Sequence, residues 1–261
     1  MNISKYLNPV KYFNKLILIR NIFYKMIINE KSILNDQKKL FKRINWDFDK
    51  SLKILNKILL DNNYKKFDDS KESMISQHLL AFCSIISKKP KKILEIGTYD
   101  GETTFLLSKI FPYSKITTID LKENTNLFIN SYNRSDHFFK KSFLKRRKVN
   151  LNKKNIKFIE DNSFNLQRYN FSNFDLIWID GDHDYPALAW DLCNSFHLLS
   201  KKGIIMCDDI YFNKSSTYKV LEYLKDEKFI NVNYILKRIS KNFSSDPFIK
   251  KHIAIVTKKQ R

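Results

Sequence analysis

Glycine is scarce in this sequence, with four residues among 261. Average usage of about 7% would give roughly eighteen, so glycine should remain only where a side chain would be harmful. The four are Gly97, Gly101, Gly181 and Gly203. We predict that each lies at the end of a strand or helix around one binding site.

Cysteine is also rare, and long apolar runs are absent. The three cysteines, Cys83, Cys193 and Cys207, are widely spaced, which argues against a disulfide framework or a zinc site. No run approaches the roughly 18 apolar residues of a membrane-spanning helix, and the N-terminus lacks a signal-peptide pattern. These absences predict a cytoplasmic protein with reduced cysteines.

Acidic residues are outnumbered: 27 Asp and Glu face 48 Lys and Arg, for a net charge of +21. Such a charge favours nucleic acid, anionic lipid or an acidic substrate as a partner. Abundant Lys, Asn and Ile with scarce Gly and Pro are equally typical of an AT-rich coding sequence. The densest basic block, residues 138–154, has eight Lys or Arg and no acid. It could contact phosphates or form a solvated helix face.

Residues 1–65 show helical spacing of apolar residues and no chemical motif. We therefore predict an N-terminal helical extension, followed by one domain over residues 66–261. The first apolar stretch could lie on an anionic membrane surface, or pack on its own domain or in a dimer, and we expect a homo-oligomer. Its apolar positions are Val10, Phe13, Ile17, Tyr24 and Ile27.

From about residue 73, short apolar strands alternate with helices, which predicts a parallel sheet covered on both faces. No helix fits between the last two strands, so we expect them to pair antiparallel. The predicted fold is a doubly wound α/β sheet of seven strands with an antiparallel last strand. The predicted strands are Lys92–Ile96, Lys115–Asp120, Ile156–Glu160, Asp175–Asp180, Gly203–Cys207, Ile230–Leu236 and His252–Thr257. The predicted helices are Ser73–Ser87, Glu102–Phe111, Asn126–Lys148, Pro186–Leu199 and Ser216–Asp226.

The first predicted strand leads through a glycine turn into a helix. In open α/β sheets a ligand binds beyond the carboxyl ends of the strands, and a helix N-terminus favours an anion. The G-x-x-x-G spacing of Gly97 and Gly101 is neither the dinucleotide nor the phosphate-loop motif. Asp120, at the end of the second strand, can accept bonds from both hydroxyls of a ribose. These features predict a nucleoside site.

These residues resemble the class I S-adenosylmethionine-dependent methyltransferases. Glu95–Gly101 looks like the first motif of that family, and Asp120 looks like its ribose-binding acid. The resemblance implies S-adenosylmethionine as cofactor, and it implies the Rossmann-like methyltransferase fold. It assigns cofactor contacts to Glu95, Gly97, Thr98, Tyr99, Gly101, Thr103, Asp120, Asp161, Asn162 and Asp180. Among these, Thr103 would lie near the carboxylate, and Asp161 and Asn162 would flank the adenine.

Acids also end the fourth and fifth strands, which are neighbours in the predicted sheet. Asp180, Asp208 and Asp209 should converge there, and three uncompensated carboxylates would repel one another. A hard cation such as Mg²⁺ would relieve this repulsion. A cation also makes a bound hydroxyl more acidic. Histidine is a common general base, so we predict that His183 takes the proton. Alternatively, the acids bind substrate without metal and His183 only forms a structural hydrogen bond.

The arrangement of Asp180, His183, Asp208 and Asp209 resembles the macrocin-type sugar O-methyltransferases. Catechol-type enzymes are also similar, but they carry an acid–amide pair after the fifth strand. The resemblance implies metal-assisted O-methylation of a small-molecule or sugar hydroxyl. It makes Asp180, Asp208 and Asp209 the metal ligands, with His183 and Asp180 as catalytic residues.

Three alternatives remain open from the sequence. The basic surface could serve an RNA methyltransferase. The chain could be a non-catalytic cofactor-binding module. It could also be an aminopropyl-transferring relative that uses decarboxylated cofactor, although a protein of net charge +21 repels the cationic substrate of that reaction.

Overall fold

The structure of the chain is a computed structural model. It describes residues 16, 19, 30–68, 75–132, 134–212, 214–239 and 250–259. The predicted apolar positions Val10, Phe13, Ile17, Tyr24 and Ile27 lie outside the described residues, as do Ser73 and Met74 at the start of a predicted helix.

Within these ranges, seven strands form one sheet in the order β3-β2-β1-β4-β5-β7-β6. Strands β1 to β5 pair in parallel, whereas β7 runs antiparallel to both of its neighbours, β5 and β6. The chain order reverses between β1 and β4, which creates the switch point where such sheets bind ligands. This confirms the predicted seven-stranded α/β fold. The strands are β1 Lys92–Ile96, β2 Lys115–Asp120, β3 Ile156–Glu160, β4 Phe174–Ile179, β5 Leu199–Tyr211, β6 Ile230–Ile239 and β7 Lys250–Lys258.

Helices cover both faces of the sheet. In the described ranges they are α1 Glu30–Arg43, α2 Phe48–Asp61, α3 Gln77–Ser84, α4 Glu102–Ile110, α5 Asn126–Asn130, α6 His137–Leu151, α7 Ala187–Leu198 and α8 Ser216–Asp226. Short 3₁₀ helices occupy Ile86–Lys88 and Ser163–Arg168.

The predicted helix Asn126–Lys148 is wrong, because the chain forms two helices, α5 and α6. Thr125 caps α5 by accepting a hydrogen bond from the Phe128 N–H, and Asp136 caps α6 by accepting one from the Phe139 N–H. Side-chain caps of this kind favour a helix start over a helix interior. In the loop between α5 and α6, the Tyr132 ring lies 5.3 Å from the ring of Tyr99, which is in the turn after β1.

The prediction for Gly203 is also wrong. This residue lies inside β5, which begins four residues earlier than predicted. A side chain here would clash with Leu199 and with the Phe174 carbonyl oxygen, at 2.6 and 2.8 Å from its Cβ. Phe174 is the first residue of β4. Gly203 therefore lies near the amino end of that strand, away from the predicted binding site, and permits close packing there.

The hydrophobic core has two halves, one on each face of the sheet. One half joins residues of α1 and α2, such as Phe41 and Leu55, to Trp178 of β4. The other packs α7 and α8, through Leu192 and Leu221, on the opposite face. The described part of the predicted extension therefore shares a core with the sheet, while the domain boundary at residue 65 stays a prediction. Among the described residues, no helix has the length and apolarity needed to cross a membrane.

Candidate functional site

The ends of four parallel strands form a continuous row, here called the carboxyl edge. The Gly97 N–H donates to the Ile119 carbonyl, and the Asp180 N–H donates to the Ile96 carbonyl at 2.8 Å. The Asp161 N–H donates to the carbonyl of Asp120 at 2.9 Å. The structure thus lines up Asp161, Asp120, Gly97 and Asp180, as the sequence predicted.

The turn after β1 needs glycine because the neighbouring backbone is close. Gly97 has φ +94°, and a Cβ here would lie 2.2 Å from the Asp180 carbonyl oxygen. Gly101 has φ +78° and caps α4. A glycine tolerates both conformations without steric cost. The sequence correctly placed these turns, but the close approach at Gly97 is to the β4 backbone.

Glu95 is fully buried at the end of β1. Its Oε2 accepts hydrogen bonds from Thr104 and, at 2.6 Å, from Thr118, which in turn bonds the Thr98 hydroxyl. Burial raises the pKa of Glu95 to about 7, and these hydroxyl bonds oppose part of the rise. The Thr98 side chain therefore belongs to this internal network. Thr103 lies beside it, buried in the first turn of α4.

Asp120 is bound on one side by groups that position it. Its Oδ2 accepts the Tyr99 N–H and the Arg147 guanidinium, both at 2.8 Å. Within the described chain its Oδ1 accepts only the Leu121 N–H, at 2.7 Å. A carboxylate oxygen has two lone pairs, so Oδ1 retains capacity for a ribose hydroxyl. The side chain is 13% exposed.

Asp161 and Asn162 stabilise the turn that follows β3. Asp161 accepts hydrogen bonds from the Asn165 amide at 2.8 Å and the Tyr169 hydroxyl at 2.9 Å. Asn162 caps the next 3₁₀ helix through the Phe164 N–H. Both lie on the carboxyl edge, and their predicted role beside adenine stays a prediction.

Asp180 and His183 form a pair directly after β4. The distance between Asp180 Oδ1 and His183 Nε2 is 3.7 Å, and both side chains are partly exposed. Partial burial, followed by the charge of Asp208, raises the pKa of Asp180 well above its ordinary value. A carboxylate with a raised pKa is a stronger proton acceptor than an ordinary aspartate.

Two lysines neutralise the acids on β5. The Lys237 ammonium group contacts Asp208 Oδ2 and lies 3.1 Å from Asp209 Oδ1. Lys251 Nζ lies 2.8 Å from Asp209 Oδ2. Burial would raise the pKa of Asp209, but the two ammonium groups outweigh burial and hold it below its ordinary value.

The predicted divalent metal does not fit this arrangement. The described residues contain no group of three His, Cys, Asp or Glu side chains that could hold a metal ion. Lys237 and Lys251 already supply the positive charge that Asp208 and Asp209 need. A cation would have to displace a lysine that is itself 8% exposed.

Several residues near the site escaped the sequence analysis. Arg147 is buried beside Asp120, and its guanidinium lies 5.0 Å from the centre of the Phe143 ring. Arg134, also buried, lies 4.1 Å from the Phe128 ring centre. Aromatic faces stabilise such cations. Arginines in a highly basic chain carry no sequence feature that separates buried ones from solvated ones.

His78 was also missed. It is buried on α3 with its ring stacked on Trp178 at 5.2 Å, and its Nδ1 bonds the Ser76 hydroxyl at 2.8 Å. Burial lowers the pKa of His78 to about 3, while Asp208 and Lys237 act on it with opposite signs. The α3 start therefore lies next to the acids of β5.

Four of the eight basic residues in the block 138–154 make contacts within the molecule. Arg147 binds Asp120, Arg146 binds Asp100 at 3.1 Å, and Lys140 donates to the Glu123 carbonyl. Lys153 lies 5.2 Å from the Phe105 ring centre. These contacts reduce the charge that the block could offer to phosphates.

Comparisons with known proteins agree with the observed fold. Residues 94–210 match a family model described as a methyltransferase domain. Comparison with curated protein sequences finds no match.

Three solved structures share the fold at low sequence identity. Cofactor-bound Rv0187 from Mycobacterium tuberculosis is 13% identical, with a TM-score of 0.51 over 81% of this chain and 90% of that chain. A Klebsiella pneumoniae protein proposed to be an O-methyltransferase is 14% identical, with a TM-score of 0.51 over 86% and 96% of the two chains. The S-adenosylhomocysteine-bound methyltransferase PaMTH1 of Podospora anserina is 19% identical, with a TM-score of 0.50 over 89% and 97%.

Proposed function

We propose that this chain is an S-adenosylmethionine-dependent O-methyltransferase acting on a small-molecule or sugar hydroxyl, because residues 94–210 match a methyltransferase-domain family model. The observation that carries the proposal is the Asp180–His183 pair, with 3.7 Å between Oδ1 and Nε2, beside the glycine turn of β1. A hydroxyl must lose its proton on methylation, and this pair supplies a candidate general base at the carboxyl edge.

The residues of the carboxyl edge fit the cofactor. Asp120 Oδ1 can accept a ribose hydroxyl, because Arg147 and Tyr99 occupy only Oδ2. The N-terminus of α4 supports a carboxylate through its free N–H groups and dipole. When bound, S-adenosylmethionine supplies the methyl group, which passes from sulfur to the acceptor oxygen while the carbon–sulfur electron pair stays on sulfur.

The Asp180–His183 pair takes the proton in this proposal. His183 accepts it from the acceptor hydroxyl, and Asp180 orients the imidazole ring. The raised pKa of Asp180, which burial and Asp208 cause, lets its carboxylate share that proton. The metal-assisted form predicted from the sequence is not needed, because the acids on β5 are already paired with lysines.

Calorimetric titration with S-adenosylhomocysteine tests the proposal. The wild-type chain should bind it, and Asp120→Ala should weaken binding at least tenfold, since a hydrogen bond to a charged group contributes about 1.5–3 kcal/mol. His183→Ala should retain the affinity but lose methyl transfer from labelled S-adenosylmethionine to catechol or sugar acceptors. Asp226→Ala, on the exposed end of α8, is the matched control for Asp120→Ala. Absence of binding by the folded wild-type chain would refute the proposal.

A further inference from the structure

Lys237 reaches the acids on β5 because two strands are irregular at the same place. The pairing of β5 with β7 shifts register between Cys207 and Ile210, and the pairing of β6 with β7 shifts between Leu236 and Arg238. Each shift inserts one extra residue into one strand, and such bulges redirect side chains. The bulged residues are Asp208 and Asp209 on one side of β7 and Lys237 on the other.

The N-terminal helix supports this bulge. The Gln37 side chain of α1 donates a hydrogen bond to the Lys237 carbonyl, with 3.3 Å between Nε2 and the oxygen. Gln37 is 1% exposed and Lys237 is 8% exposed. The lysine therefore enters the site from a buried, supported backbone and has little freedom to swing out into solvent.

Polar atoms around Lys237 lack partners among the described residues. Asp208 Oδ1, His78 Nε2 and Trp178 Nε1 are all buried there without a hydrogen bond. Their side chains are at most 4% exposed. An ammonium group has three N–H bonds, and Lys237 directs two of them to Asp208 and Asp209. Buried polar atoms are normally satisfied, so this cluster points to a polar ligand.

We propose that Lys237 takes the place of a divalent cation in this site, and that the acceptor oxygen binds to its ammonium group rather than to a metal. The two ammonium groups match the charges of the Asp208 and Asp209 carboxylates, so of the three predicted metal ligands only Asp180 lacks a lysine partner. The ammonium group donates to the acceptor oxygen as negative charge develops on it, which is the task that a metal performs in metal-dependent relatives. This inference rests on the proposed function.

Mn²⁺ titration followed by electron paramagnetic resonance tests the substitution with the untagged full-length chain. Wild type should show no stoichiometric site with a Kd below about 1 mM, the weak end of protein sites for hard cations. Lys237→Met leaves Asp208 without a counter-charge, while Lys251 still pairs with Asp209, and it should tighten Mn²⁺ binding by about tenfold or more. Lys225→Met, on the exposed face of α8, removes one ion pair elsewhere and should leave Mn²⁺ binding unchanged.

Two further measurements distinguish a failure of this inference from a failure of the proposed function. The affinity for S-adenosylhomocysteine should be the same with EDTA as with Mg²⁺, and methyl transfer to any catechol or sugar acceptor should survive EDTA but fall at least tenfold in Lys237→Met. A stoichiometric Mn²⁺ site in wild type that Asp208→Asn abolishes would overturn the inference and leave the cofactor site standing. That titration needs no Lys237 variant, so the inference can be tested even if Lys237→Met does not fold.

Discussion

Buried carboxyl groups are a recurrent feature of this molecule. Glu95 and Asp191 both have a pKa of about 7, and in each case burial is the largest cause. An acid with a raised pKa holds its proton in the folded state at a pH where the unfolded chain has released it. Such a group lowers stability as pH rises from its unfolded to its folded pKa.

Asp191→Asn isolates one of these groups. Asp191 is 1% exposed in α7, outside the proposed site, and its ordinary pKa is 3.8. The stability of the variant relative to wild type should rise by about 2–3 kcal/mol between pH 5 and pH 8, with most of the gain below pH 7. Urea denaturation at several pH values measures this difference, with Asp226→Asn as an exposed control. A difference that does not change with pH would contradict the assigned shift.

The acids of the site were predictable from the sequence, whereas their partners were not. Asp120, Asp180 and Asp208 each follow a short apolar run, and parallel strands end at a common edge. Lys237 sits at a register shift that depends on how β6 pairs with β7. No periodic pattern encodes such a bulge, and one lysine among 48 basic residues does not stand out. The sequence predicted a metal because it showed three acids near one another but did not show the two lysines that neutralise Asp208 and Asp209.

Local patterns also explain which elements were predicted well. The bounds of β1, β2 and β3 are as predicted, because each is a short apolar run bounded by polar residues. The limits of β5 depend on its long pairing with β7, and the break between α5 and α6 depends on Asp136 as a cap. Contacts distant in sequence and internal caps are weakly marked in an apolar pattern.

The β1–α4 turn gives a sharp test of glycine placement. Gly97→Ala puts a Cβ 2.2 Å from the Asp180 carbonyl oxygen at φ +94°, and we expect a loss of about 3 kcal/mol or more in unfolding free energy. Gly181→Ala is the matched control, because its Cβ would have no neighbour closer than 3.5 Å, and it should cost below about 1 kcal/mol. Urea denaturation of both variants measures the contrast. Equal losses would show that the backbone approach at Gly97 does not govern stability.

The helices before the sheet share a hydrophobic core with it. Phe41 of α1 is fully buried, packs edge to face on Phe48 at 5.1 Å, and belongs to the same core as Trp178 of β4. Gln37 of the same helix bonds the backbone of Lys237. All of the motifs that suggest chemistry come after the predicted boundary at residue 65. The hydrophobic packing, however, continues across that boundary.

Phe41→Ala tests this continuity across the whole protein. The truncation leaves a cavity in the shared core, so the unfolding free energy should fall by about 3–5 kcal/mol, with a single calorimetric transition at lower temperature. Leu60→Ala, at a position 51% exposed on α2, should change stability by no more than about 0.5 kcal/mol. If α1 were an independent appendage, Phe41→Ala would instead produce a separate early transition and leave the main one in place. A single shifted transition would show that α1, whose Gln37 bonds the Lys237 carbonyl, unfolds together with the sheet.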